Sequence, residues 1–102
     1  MLTPDKWIIV GTGDVKKVFS SFYGGFLNGD SWSLSSGTKE IIDKGPYWEL
    51  PQESGSIYKL FKGSYGLSAY AAGVLAEFKK EQPDLKILNI KDGEFIDETT
   101  EN

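Results

Sequence analysis

Two glycine-rich stretches offer this sequence a way to hold an anion. Gly11-Thr12-Gly13-Asp14 follows the apolar run from Lys6 to Val10. A strand that enters a glycine turn and then a helix is how nucleotide-binding βα units begin, because the helix presents free N–H groups to a phosphate. Here the third glycine of a GxGxxG pattern would fall at Lys16, and Walker A spacing is missing. A tight turn with a helix cap is the plainer reading. Lys62-Gly63-Ser64-Tyr65-Gly66 is the second stretch, placed just before a helical pattern. A lysine, a serine and flexible backbone at a helix start can bind an anion, so Lys62, Gly63, Ser64 and Gly66 are the candidate anion-binding residues. The bland alternative is a strand-to-helix connection whose serine caps the helix.

Catalysis has few side chains to draw on. The chain contains no histidine, no cysteine and no arginine. Histidine triads, thiol nucleophiles and the usual zinc sites are therefore excluded. So is the bidentate guanidinium fork for phosphate or guanine. No spacing singles out a carboxylate pair for glycoside chemistry. Lys62 and Ser64 resemble a serine–lysine dyad only in residue type, with no orienting group beside them. The reading is of a protein that is not an enzyme, with no cofactor and no metal.

Aromatic residues make up 14% of the chain, more than a core of this size readily hides. Tyr47 and Trp48 are neighbours on a predicted strand, so they point to opposite faces and one of them should reach the surface. Exposed tyrosine and tryptophan favour protein interfaces. Tyr23, Trp32, Tyr47 and Trp48 are the candidate partner-binding group. Stacking on nucleic acid would need a basic groove beside them. Residues 1–90 carry ten lysines against ten carboxylates, and the whole net charge of −4 lies in residues 91–102. Nucleic acid is thus not an expected partner.

These residues must be positioned by one domain, since the chain has 102 residues. Lys6 to Val10 reads as a buried strand. Val15, Val18, Phe19, Phe22, Tyr23 and Phe26 recur at spacings of three and four, which predicts a helix over about residues 14–23 ended by Gly24-Gly25. A strand competes there, because Asn28-Gly29 is a hairpin signal. Residues 31–43 read as strand, turn and strand around Ser35-Ser36-Gly37, with Trp32 and Leu34 sharing a face. Residues 46–50 form a strand that Pro46 assigns to a sheet edge, and residues 56–62 form another. Leu67, Tyr70, Ala71, Val74, Leu75 and Phe78 mark a helix over about residues 66–81, capped by Ser64 or Ser68 and stopped by Pro83. Leu85 to Ile90 is a strand and Asp92-Gly93 a turn.

The expected fold is α+β: a mostly antiparallel sheet of four to six strands with two helices packed on one face. The domain spans residues 1–96, and residues 97–102 read as a solvated acidic tail. No apolar run reaches membrane-spanning length, and Met1 to Lys6 does not read as a secretory signal, so no membrane is expected and the cytoplasm is the default compartment. The expected function is a small non-catalytic protein-interaction domain, an inhibitor, adaptor or assembly component of the kind phages and mobile elements encode. The alternatives are an anion-binding domain and a homo-oligomer joined through the strand at 46–50.

Overall fold

The computed structural model describes residues 1–24 and 29–99. The chain starts with a hairpin. Strand β1 (Lys6–Thr12) pairs antiparallel with β2 (Val15–Phe22) through a two-residue turn at Gly13-Asp14. Gly13 takes φ +59°, the left-handed geometry that hairpin turns need at their first central residue. Next come β3 (Ser31–Leu34), β4 (Ile42–Asp43), β5 (Tyr47–Pro51) and β6 (Ile57–Phe61). A 3-10 turn at Lys62–Ser64 precedes helix α1 (Ala69–Glu81). The hairpin of β7 (Lys86–Lys91) and β8 (Glu94–Asp97) follows. It turns on Asp92 and Gly93, both at positive φ, as the sequence implied.

The strands form two antiparallel sheets, one of five strands in the order β3-β2-β1-β7-β8 and one of three in the order β4-β5-β6. Alternation along β1 explains the layers. Trp7 and Ile9 point to one side, where they join Val18, Leu88 and Ile90 against Trp48, Leu50, Tyr58 and Leu60 of the small sheet. Ile8 and Val10 point to the other, where they join Phe19 against Ala71 and Leu75 of α1 and against Leu85. The molecule is a three-layer stack of helix, large sheet and small sheet. The Trp7 indole N–H donates to the Phe61 carbonyl at 2.8 Å, which ties the large sheet to the end of β6.

Three expectations are corrected here. Residues 14–23 are strand, not helix, so α1 is the one helix among the described residues. Because β2 is covered on both faces, Val18 and Phe19 are buried side by side, one in each core cluster. Adjacent apolar residues of this kind mimic helical spacing. The strand at 46–50 is not an edge: β5 is the middle of its sheet, flanked by β4 and β6. Pro46 stands just outside the ladder, where its missing N–H costs nothing. The tail is tied down further than expected. Asp97 ends β8, the Glu98 N–H donates to the Ile87 carbonyl, and the Ile87 N–H donates to Thr99 Oγ1 at 2.9 Å. The hairpin signal at Asn28-Gly29 lies largely outside the described residues, as do residues 100–102.

Candidate functional site

Both anion-site candidates fold into something else. Gly11 to Asp14 is the end of β1 and the turn of a β-hairpin, with no helix behind it. Gly11 also gives room to its neighbour: a Cβ there would stand 3.1 Å from Leu88 Cδ1. Lys62, Gly63 and Ser64 form the 3-10 turn and do not open the helix, which starts at Ala69 with Ser68 as its cap. Ser68 Oγ accepts from the Ala71 N–H at 3.1 Å, so the helix terminus satisfies one of its own donors. The Lys62 ammonium is engaged as well. It lies 2.8 Å from Asp43 Oδ1 and 4.0 Å from the centroid of the Trp48 ring. That bond from Lys62, with a second from the Gly45 N–H, holds the Asp43 carboxyl below its ordinary range. A cation already paired and stacked in this way has little charge left for an exogenous anion.

The four aromatic candidates do not form one patch. Trp48 is 5% exposed and belongs to the core between the sheets, so it offers no surface to a partner. Tyr47 points the opposite way, to the outer face of the small sheet. There its ring meets Phe61 at 5.7 Å, and the Lys59 ammonium sits 4.3 Å above it. That outer aromatic pair is thereby covered by a cation from its own sheet. Trp32 lies on β3, on the helix side of the large sheet, and Tyr23 lies just past the end of β2. Tyr23 is largely exposed, and its N–H donates to Asp5 Oδ2 at 2.7 Å.

Trp32 is the best-built of the exposed aromatics. Its ring stacks on Phe19 at 5.6 Å with the planes 8° apart, and meets Phe78 edge-on at 5.3 Å. Even so, 36% of its surface remains open, and Leu34, two residues on and on the same face, is 38% exposed. Below them a cavity of about 70 Å³ separates the end of α1 from the sheet, lined by Phe19, Leu34, Leu75, Phe78 and Leu85. The sequence singled out Trp32 and missed Leu34 as a surface residue. The signal lay in the alternation Ser31-Trp32-Ser33-Leu34, which puts both apolar residues on one side of a strand.

Two further features bear on chemistry. The Tyr65 hydroxyl donates to the Leu88 carbonyl at 3.0 Å, and burial followed by the nearby Glu98 charge pushes its pKa up to about 12. This phenol stays neutral at any ordinary pH and works as a seam between the two core clusters, both of which it touches. Ser20 and Ser33 face each other across β2 and β3, and neither hydroxyl has a hydrogen-bond partner among the described residues. No group of three or more metal-ligating side chains occurs among the described residues. Compared with known proteins, the chain matches no family model, no curated protein and no solved structure.

Proposed function

We propose that this chain is a non-catalytic protein-interaction domain whose contact surface is the β3 side of the large sheet, centred on Trp32 and Leu34 with Tyr23 at its margin. One observation carries the reading: Trp32 is held by two aromatic neighbours yet keeps over a third of its surface open on an outer strand. An aromatic side chain already fixed in place loses little conformational freedom when a partner covers it, which is what makes such residues strong anchors. Tyr47 and Trp48 leave the partner-binding group, the one for its lysine cover and the other for its burial.

The test is site-specific photo-crosslinking in cells. A photoreactive phenylalanine analogue replaces Trp32 in one variant and the exposed Glu53, in the β5–β6 turn, in another. The expected result is one dominant cross-linked protein from position 32 and none from position 53. Equal cross-linking from both positions, or none from position 32, would end this reading.

A further inference from the structure

Among the described residues the two sheets have four edges that could accept another strand, of which one is already paired, one is very short and one is acidic. At β6 the chain start already pairs: the Leu2 N–H donates to the Ile57 carbonyl, and the Leu2 carbonyl accepts from the Lys59 N–H. Strand β4 is two residues long and includes Asp43. Strand β8 carries Glu94 and Asp97, so a second acidic strand laid against it would meet like charges. The remaining edge, β3, reads Ser-Trp-Ser-Leu. It has neither the charge nor the proline by which exposed edges ordinarily repel another strand.

The hydrogen-bond phase of β3 can be worked out. The Ser35 N–H donates to the Val18 carbonyl at 2.9 Å, in the same register that pairs Ser33 with Ser20 and Ser31 with Phe22. Bonded residues alternate along an antiparallel ladder. Ser31 and Ser33 therefore spend their backbone groups on β2, while the N–H and C=O of Trp32 and Leu34 point away from the sheet. Two outward-facing residues separated by one inward-facing residue form a self-complementary set. A two-fold axis through Ser33 places Trp32 opposite Leu34 of a second molecule and Leu34 opposite its Trp32. All four outward donors and acceptors of each strand are then paired. Both apolar side chains stay on the helix side, where each aromatic ring lies beside a leucine, a favourable cross-strand pair.

Resting on the interaction reading above, we propose that the partner of the β3 edge is a second copy of this chain, joined antiparallel through Trp32 and Leu34 into one continuous sheet of ten strands. No like charges oppose one another within the paired strands, because residues 31–34 carry none. The isologous geometry closes the assembly at two copies. So short a ladder buries less than a standard interface, so the dimer is weak, on the order of micromolar, and its strength is nearly independent of salt.

Sedimentation equilibrium from about 5 to 500 µM tests this. The expected mass rises from one chain towards two, with the same midpoint at low and high salt. Leu34→Lys, an edge charge on a side chain that is already partly exposed, should weaken the dimer at least about tenfold. Leu34→Pro removes an outward-pointing donor without touching a bond to β2, and should do the same. Glu94→Lys on the opposite edge should leave the midpoint unchanged. Circular dichroism on each variant verifies that it is folded. A wild type that stays one chain in mass throughout overturns the proposal, as does a dimer that both Leu34 variants preserve or that Glu94→Lys abolishes. The two readings fail separately. A different protein cross-linked at position 32, with a monomeric mass, overturns the second copy and leaves the interaction domain standing. No cross-link together with a monomeric mass removes both.

Discussion

On one side of the five-stranded sheet Trp48 is pressed between strands and is 5% exposed; on the other Trp32 leans on Phe19 and Phe78 and is 36% exposed. The difference comes from what covers each face. A second sheet of three strands meets the middle of the first, where Trp48, Leu50, Tyr58 and Leu60 close the space against β2, β1 and β7; on the outer strand β3 this face carries the polar Ser31 and Ser33. The helix side has only α1. Five strands at their usual spacing span roughly 19 Å across the sheet, whereas a helix with its side chains is only about 10 Å wide. Centred over Ile8, Val10 and Phe19, the helix leaves the outer strand β3 partly bare. One face buries its large apolar side chains and the other leaves Trp32 and Leu34 partly open.

Substitutions on the two faces test this contrast. The largest effect belongs to Trp48→Ala, which should cost about 3–5 kcal/mol of unfolding free energy. Chemical denaturation reads it directly, and a loss below 1 kcal/mol would mean the closed face is not closed. Trp32→Ala should cost only about 1–2 kcal/mol, since a third of its ring is already wet and one stacking and one edge contact are lost. If the two losses were equal, the open face would be no more open than the other. Ser68→Ala removes the cap of α1 and should cost about 1 kcal/mol. The loss should appear as faster amide exchange in α1, with the β5–β6 hairpin unaffected.

Ser20→Ala works in the opposite direction. Ser20 is buried beside Trp7 in the sheet register, on the sheet-covered side, and its hydroxyl is orphaned among the described residues. Removing an unsatisfied buried hydroxyl should leave stability unchanged or raise it by up to about 1 kcal/mol. A clear loss on denaturation would mean that the hydroxyl has a partner.

The smallest and most pH-confined effect concerns the seam. Tyr65 has its folded-state pKa raised to about 12 by burial and by Glu98. The unfolded chain therefore releases this proton first as pH rises. The contribution of Tyr65 is whole below about pH 10 and is lost as pH climbs through the folded value. Absorbance titration should show a late-titrating phenol that Tyr65→Phe abolishes. A titration with no phenol above pH 11 would contradict the buried placement. At the acid end the signs reverse. Asp97, lowered by Thr99 and then by Lys86, and Asp43, lowered by Lys62 and then by Gly45, stabilise the fold above the ordinary carboxylate range and lose that contribution as pH falls through their lowered folded-state values.

Much of the layout could be read from residue order, and the failures share a cause. The buried run Lys6 to Val10, the stripe of α1, the strand at Leu85 to Ile90 and the turn at Asp92-Gly93 were all legible, because each signal is local. The helical reading of residues 14–23 failed because a strand buried on both sides loses its alternation, and only knowledge of a second covering layer separates the two cases. The same gap hid the role of Trp48. Alternation shows that Tyr47 and Trp48 part ways, but not which one meets another sheet. The edge assignment of 46–50 failed because β4, its second neighbour, is only two residues long and gives almost no pattern of its own. Trp32 was recognisable as a surface candidate, yet its distinction from Tyr47 rests on Lys59, a residue on a different strand.

Strand β1 sits at the centre of its sheet, between β2, which follows it at once, and β7, which follows almost at the end of the described chain. During synthesis the first hairpin can close early, but the other flank of β1 must wait for Leu88 to emerge before Ile9 gains its second neighbour. Pairings this distant along the chain slow folding relative to local ones. Until they form, an apolar strand rich in valine and isoleucine stands with one flank unsatisfied, a state prone to sticking to its own kind. The β1–β7 closure is therefore the long-range step on which the second flank of β1 depends.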